Sequence, residues 1–188
     1  MATLALSSSH RRELRTLTGL AEADLAKIWR EFNTAEAARE GLMDVLPQLV
    51  SIYGAAAATL ASDYYDELRD AAEVGGSFRA IPAVPAGVER TDVLARFAVG
   101  PLFQASQDWA SALVLAQGGL QRTIANADRL TVTGSSVQDR RARGWRRTGK
   151  GDCEFCSMLL SRGAVYTEAT ADFRAHDHCG CAAEPVFA

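Results

Sequence analysis

Apolar residues recur at helical spacing over most of the first 130 positions. Leu14 and Leu17 follow a serine run, Ser7 to Ser9, that offers a cap, and Gly19 is expected to break this first helix. Leu25, Ile28, Trp29 and Phe32 then step by three and four, which marks one apolar face. Asn33 or Thr34 can cap the next segment, with Glu36 in its first turn, and Pro47 is expected to interrupt or kink it. From about Gln48 to Glu73 the pattern predicts the longest helix. Leu49, Tyr53, Ala56, Leu60, Tyr64 and Leu68 share one side of it, and Gly75-Gly76 marks its stop. Residues 77–88 hold Pro82, Pro85 and Gly87 without a helical period and read as a loop. A short helix is expected over Thr91 to Ala98. Gly100-Pro101 then opens a long one with Phe103, Trp109, Leu113, Ala116, Leu120, Ile124 and Ala127 along one face. No alternating strand pattern occurs before Leu130, whereas β-branched Leu130 to Thr133 suits an extended conformation.

These broad stripes predict a mainly α fold, either a helical bundle or an extended long-helix body, with a small C-terminal module of different composition. Ala55 to Ala58, with Ala125 and Ala127, would let helix axes approach closely. The uncharged stretch Val45 to Ser62 raises the question of a membrane span. Pro47, Gln48, Ser51, Gly54 and Thr59 make its transfer into lipid poor, so a buried helix and no membrane partner are expected. Hydrophobic residues at 48% and charged ones at 23% fit a packed globular chain rather than a disordered one. The apolar stretch Ala2 to Leu6 is too short for a signal peptide, and Arg11 and Arg12 come after it. A reducing compartment follows as the expectation, and there cysteines serve more often as metal ligands than as disulfides.

The composition changes after Gly134. Arg140, Arg141, Arg143, Arg146, Arg147 and Lys150 surround Trp145, on a chain whose net charge is −3. Cys153 and Cys156 follow, and then His176, Cys179 and Cys181. All 4 cysteines of the chain fall in this last stretch. The organisation expected is an α-helical assembly domain over 1–133, an Arg-rich linker over 134–151 and a Cys/His zinc-binding module over 152–188.

A Cys-x-x-Cys turn presents two thiolates to one ion, and His176-x-x-Cys179 repeats the offset and can complete a tetrahedron. Cys181 can replace Cys179, which leaves the fourth ligand open. His178 is the weaker histidine candidate. A segment with so little apolar mass could hardly fold alone, and zinc would contribute about 10–16 kcal/mol of coupled binding and folding free energy. Two disulfides, or a catalytic zinc, are the competing readings. The zinc-deaminase order of ligands is absent, as are a nucleophile elbow, a phosphate-binding loop and a dinucleotide fingerprint. The cations around Trp145 form a candidate arm for phosphates or for an acidic partner, without the means to read base sequence.

The order Trp145-Arg-Arg, Cys153-Glu-Phe-Cys156-Ser-Met-Leu-Leu-Ser-Arg-Gly163-Ala-Val-Tyr166, His176-Asp-His-Cys179-Gly-Cys181 and Pro185-Val-Phe187 resembles the MuF-like minor head proteins of tailed actinobacteriophages. The resemblance is sharp from about Asn126 to Phe187 and rests upstream on the helical layout alone. It implies a virion component at the head interior or portal vertex, assembled in the host cytoplasm. It would be present in few copies and would dock to portal or major capsid protein, with possible contact to packaged double-stranded DNA. It carries over Cys153, Cys156, His176, Cys179 and Cys181 as metal ligands. Some relatives bear a fused protease or toxin; this sequence stops just after the motif, so no enzymatic domain is expected. The rival functions are a zinc-dependent DNA-binding or regulatory protein using the Arg-rich arm, and a zinc hydrolase built on His176, Asp177 and His178.

Overall fold

A computed structural model of the chain describes residues 2–151, 154–163, 165–167 and 173–187. The first helix, α1 (Ala2–Trp29), runs straight through Gly19. Its buried stripe is Ser7, His10, Leu14, Thr18, Ala21, Leu25 and Trp29, a regular three-and-four step whose first members are polar. Gly19 lies on the opposite, exposed face with nothing near it. A glycine there costs about 1 kcal/mol relative to alanine, too little to stop a helix held by packing.

The second helix, α2 (Ala35–Ala71), is likewise a single element and continues through Pro47. Thr34 caps it, accepting the Ala37 N–H at 3.1 Å. The apolar side is Leu42, Leu46, Leu49, Val50, Ala57, Ala61, Tyr64 and Leu68. Ala57, not Ala56, faces inward. This is the one helix among the described residues long and apolar enough to cross a membrane; its apolar side packs against α1 and the later helix α4 (Trp109–Gln138). Its last turn is closed by Arg69, which donates to the carbonyls of Val74, Gly75 and Gly76.

α3 (Val88–Ala98) begins three residues before the expected start and leads into a short 3-10 turn, Gly100–Phe103, rather than directly into the long helix. Asp108 caps α4, accepting from Ser111 N–H at 2.9 Å. The stretch 130–133 is helical, not extended, with Thr131, Val132 and Thr133 buried. Their contacts outweigh the few tenths of a kcal/mol by which β-branched residues disfavour helix. Leu14, Leu25, Trp29, Leu42, Leu46, Leu94, Leu120 and Ile124 form the main core. Trp29 and Trp109 meet edge to face with centroids 5.6 Å apart.

Past α4 the stretch expected to be a linker contains a strand. β1 (Ala142–Thr148) pairs antiparallel with β2 (Ala182–Phe187), Arg146 standing opposite Glu184. A register shift lies between Ala142 and Gly144, and Gly144 has a φ of 137°. A Cβ there would meet the Tyr166 carbonyl oxygen, so the close approach of that segment needs glycine. Both strands lie on α4. Their inward face joins Trp145 and Ala183 to Ala61, Tyr64, Tyr65, Leu68 and Val132 in a second core. Between the strands comes α5 (Glu154–Ser161).

Candidate metal centre

Three elements converge at the cysteines. Cys156 sits in the first turn of α5, where the free N–H groups of a helix start favour negative charge. Cys179 and Cys181 lie just ahead of β2, and the Cys156, Cys179 and Cys181 sulfurs are buried and within 4.8 Å of one another. Cys156 Sγ is 3.6 Å from Cys179 Sγ and 3.7 Å from His176 Nε2. A tetrahedral ion with sulfur ligands at about 2.3 Å and nitrogen at about 2.0 Å would set these edges at about 3.8 and 3.6 Å. The Cys156–Cys179 and Cys156–His176 separations therefore suit ligands of one ion, with Cys181 in the same group of sulfurs. A disulfide would need about 2.05 Å, and Cys179 and Cys181 are unbridged. Cys153 lies outside the described residues.

The donor chemistry agrees. His176 Nδ1 is 2.7 Å from the Asp177 carbonyl, so the tautomer that donates there leaves the Nε2 lone pair toward Cys156. The Cys179 thiol is pushed down to about 4 by the Cys181 thiol, and further by the Cys181 N–H, the Arg129 charge and Cys156. Cys181 is correspondingly pushed up, its proton held against Cys179 and its charged form penalised by burial. The first proton leaves from the pair easily, as a thiolate metal site requires.

The helical body clamps this corner. Arg129 Nε donates to the Cys181 carbonyl at 3.1 Å, and Nη2 donates to the carbonyls of Cys179 at 2.9 Å and Cys181 at 3.0 Å. Gln121 Nε2 reaches the Cys179 carbonyl at 3.3 Å. His178 rests on α4 where Gly118 leaves room, since a Cβ at Gly118 would come within 2.7 Å of its Nε2. Asp177 is paired with Arg122 at 3.1 Å. The residues of the hydrolase alternative are thus distributed: His176 is at the sulfurs, while Asp177 and His178 contact α4. Arg129 and Gln121 were not among the expected site residues. The available signal was a charged pair, Asp128-Arg129, on the buried side of an otherwise apolar stripe.

The expected basic arm divides in two. Arg140, Arg141, Arg143 and Lys150 are exposed. Arg146 is committed to Glu184, its Nε donating to Oε1 at 2.8 Å. Arg147 is buried, with its guanidinium 3.9 Å above the Phe173 ring. Trp145 is 2% exposed and stacks on Tyr166 with centroids 4.6 Å apart, so its ring is part of the core and offers no face to a base.

Fold and site together define a mainly helical protein whose C-terminal corner carries three buried cysteines close enough together to hold a metal ion. The chain belongs to the VG15 protein family, whose model matches residues 1–188. Membership indicates a phage protein, the coarser part of what the sequence resemblance implies. No curated protein and no solved structure matches the chain.

Proposed function

We propose that this chain is a non-enzymatic minor capsid protein of the phage head, MuF-like in role, whose C-terminal corner is held by one structural Zn2+. The observation that carries the metal reading is the cluster of three buried sulfurs, with His176 Nε2 beside Cys156. Soft thiolates with imidazole suit zinc, and a closed set of four such donors leaves no position for a substrate or an activated water. Zinc when bound would supply folding free energy to a segment with little apolar mass of its own. Cys156, His176, Cys179 and Cys181 would hold it, with Cys153 as the further candidate carried over from the family motif.

The phage family supports a role in the virion. Docking against portal or major capsid protein, at the head interior or portal vertex, fits a chain that exposes Val93 and Phe97 on α3 and cations at the start of β1. Those cations would contact packaged DNA without sequence preference, or an acidic face of a head protein. Mass spectrometry of purified particles tests this reading, with the chain expected at a few copies beside portal and capsid. Its presence in infected-cell lysate but not in particles would favour the alternative, a zinc-dependent DNA-binding regulator. Elemental analysis should give about one zinc per chain.

A further inference from the structure

A groove of about 310 Å3 lies between the strap that precedes α3, helix α4 and the segment ahead of the cysteines. Its walls are apolar. Val84 comes from the strap, Leu130 from α4 and Phe173 from the C-terminal segment, and the first two are 87% and 57% exposed. Val84 is fixed from both sides. Ala83 before it donates its N–H to the Thr131 hydroxyl at 2.9 Å. Pro85 after it packs on Gly54, where a Cβ would come within 3.0 Å of the proline ring. An apolar wall held open in this way binds without first having to be ordered.

The polar lining is one-sided, with donors and no carboxylate among the described residues. Arg90 is exposed on α3. Asn126 accepts from Arg129 Nη1 through its Oδ1 at 2.8 Å, which leaves its amide NH2 as a donor. Beneath them Arg129 is 1% exposed, its Nε and Nη2 committed to the Cys179 and Cys181 carbonyls. It is one of two buried cations at this corner. The Arg147 guanidinium lies 3.9 Å over the Phe173 ring and the Arg129 guanidinium 5.1 Å from it. Neither has a carboxylate partner among the described residues, and Arg147 Nη1 makes no hydrogen bond there. Two buried guanidiniums against one wall, with Arg90 at the rim, give the groove a positive potential.

We propose that this groove docks an acidic, apolar segment of a partner protein. A carboxylate of that segment accepts from Arg90 and the Asn126 amide, while its apolar neighbours cover Val84, Leu130 and Phe173. Arg129 is a positioning residue, turning the amide outward and adding charge below it. Charge complementarity selects an anion, and the apolar walls select a peptide over nucleic-acid phosphate, which has no apolar surface to bury there. The proposal goes beyond the virion role above and does not depend on the metal.

Fluorescence anisotropy on the full chain tests this with a labelled pentapeptide of alternating leucine and glutamate. It should bind at least about tenfold more tightly than its glutamine counterpart, the difference that a charge-assisted hydrogen bond supplies. Arg90→Glu and Asn126→Asp should each lower its affinity about tenfold. Asn126→Asp carries a second readout, because a carboxylate beside Arg129 gives that guanidinium the partner it lacks. Its melting temperature should rise as binding falls, which loss of folding cannot produce. Leu130→Ser, at an exposed position, should weaken both peptides alike. Equal binding of the two peptides, or undiminished binding in both charge variants, would overturn the proposal, as would no saturation at millimolar peptide. Duplex DNA that displaces the peptide and itself loses affinity in Arg90→Glu and Asn126→Asp would make phosphate the ligand and overturn it too. None of these outcomes alters the particle composition that tests the virion role.

Discussion

Glu184 is the residue through which the hairpin is tied to the helices. Its carboxylate is nearly sealed from water, 3% exposed, and its partners come from three elements. Ser7 of α1 and Arg146 of β1 bind it closely, and the Tyr64 hydroxyl of α2 donates to it at 3.3 Å. Burial, and secondarily the nearby carboxylates of Glu184 and Asp128, hold the Tyr64 phenol well above its usual range, so it remains a donor at any physiological pH. The two ends of the Arg146–Glu184 pair differ in access, because the Arg146 side chain is 50% exposed. If Arg146 loses its partner it can turn to solvent, whereas Glu184 without Arg146 is left as a charge in the interior. Arg146→Met should therefore destabilise by about 3–5 kcal/mol, the cost of an orphaned buried ion. Glu184→Gln should cost only about 1–3 kcal/mol. Urea unfolding of the two variants measures the order, and equal or reversed losses would mean that the carboxylate reaches water. The sequence shows the arginine run but not this pairing, because the strand that sets Arg146 opposite Glu184 is closed over nearly forty residues.

The helices of the body were legible because their apolar periods are long, and the misreadings have common causes. Gly19 and Pro47 signal a break by their local cost, while the packing of α1 against α2 and α4 is what decides whether a helix continues. The start of α1 was hidden because Ser7 and His10 occupy inward positions and serve the Glu184 and Asp128 contacts. β1 has one large apolar residue, Trp145, and a bulge at Gly144, so no alternation betrays it. At the site, the cysteine cluster shows in the spacing, whereas the helix-borne clamp has only one weak signal, the charged pair Asp128-Arg129 on the buried side of α4, which does not say what it grips. Two substitutions test the element picture. Leu120 is fully buried among α1, α2 and α4 residues, and Leu120→Ala should cost about 2–5 kcal/mol by thermal or urea melts. Thr34→Ala removes the cap of α2 and should cost about 1 kcal/mol. A near-neutral Leu120→Ala would show that the apolar faces are completed only by a partner. Chelation of a bound metal should release α5 and the turn carrying Cys179 and Cys181 while leaving α1 to α4: far-ultraviolet circular dichroism should stay nearly constant as Trp145 fluorescence, buried beside Tyr166, changes.

At the scale of the molecule, the distribution of free charge sets what the protein can approach. Two of the six cations near Trp145 are spent internally, Arg146 on Glu184 and Arg147 against Phe173. What remains for a partner is Arg140 and Arg141 in the turn between α4 and β1, Arg143 at the start of β1, and Lys150 just past its far end. Asp139, beside them, is turned inward to Arg69 and does not cancel them. The outward patch is thus small and rigidly placed, fixed by the Asp139 carboxylate that accepts the Arg141 N–H at 3.0 Å. If it meets packaged DNA, binding should ignore sequence and weaken steeply with salt, because each phosphate neutralised releases counterions. Replacing Arg140, Arg141 and Arg143 together by alanine should then flatten the slope of log affinity against log salt by about three units on duplex DNA, without loss of stability. The same change at Arg146 and Arg147 should instead destabilise the fold, and it is no test of binding. Trp145 fluorescence should not respond to single-stranded DNA, since the ring has no free face to stack on. If the patch serves an acidic surface of portal or capsid, the triple variant should fail to enter particles while the free protein shows no salt-dependent DNA affinity at all. An unchanged slope combined with normal incorporation would leave these three arginines as a solvated turn, and both uses of the patch would be discarded.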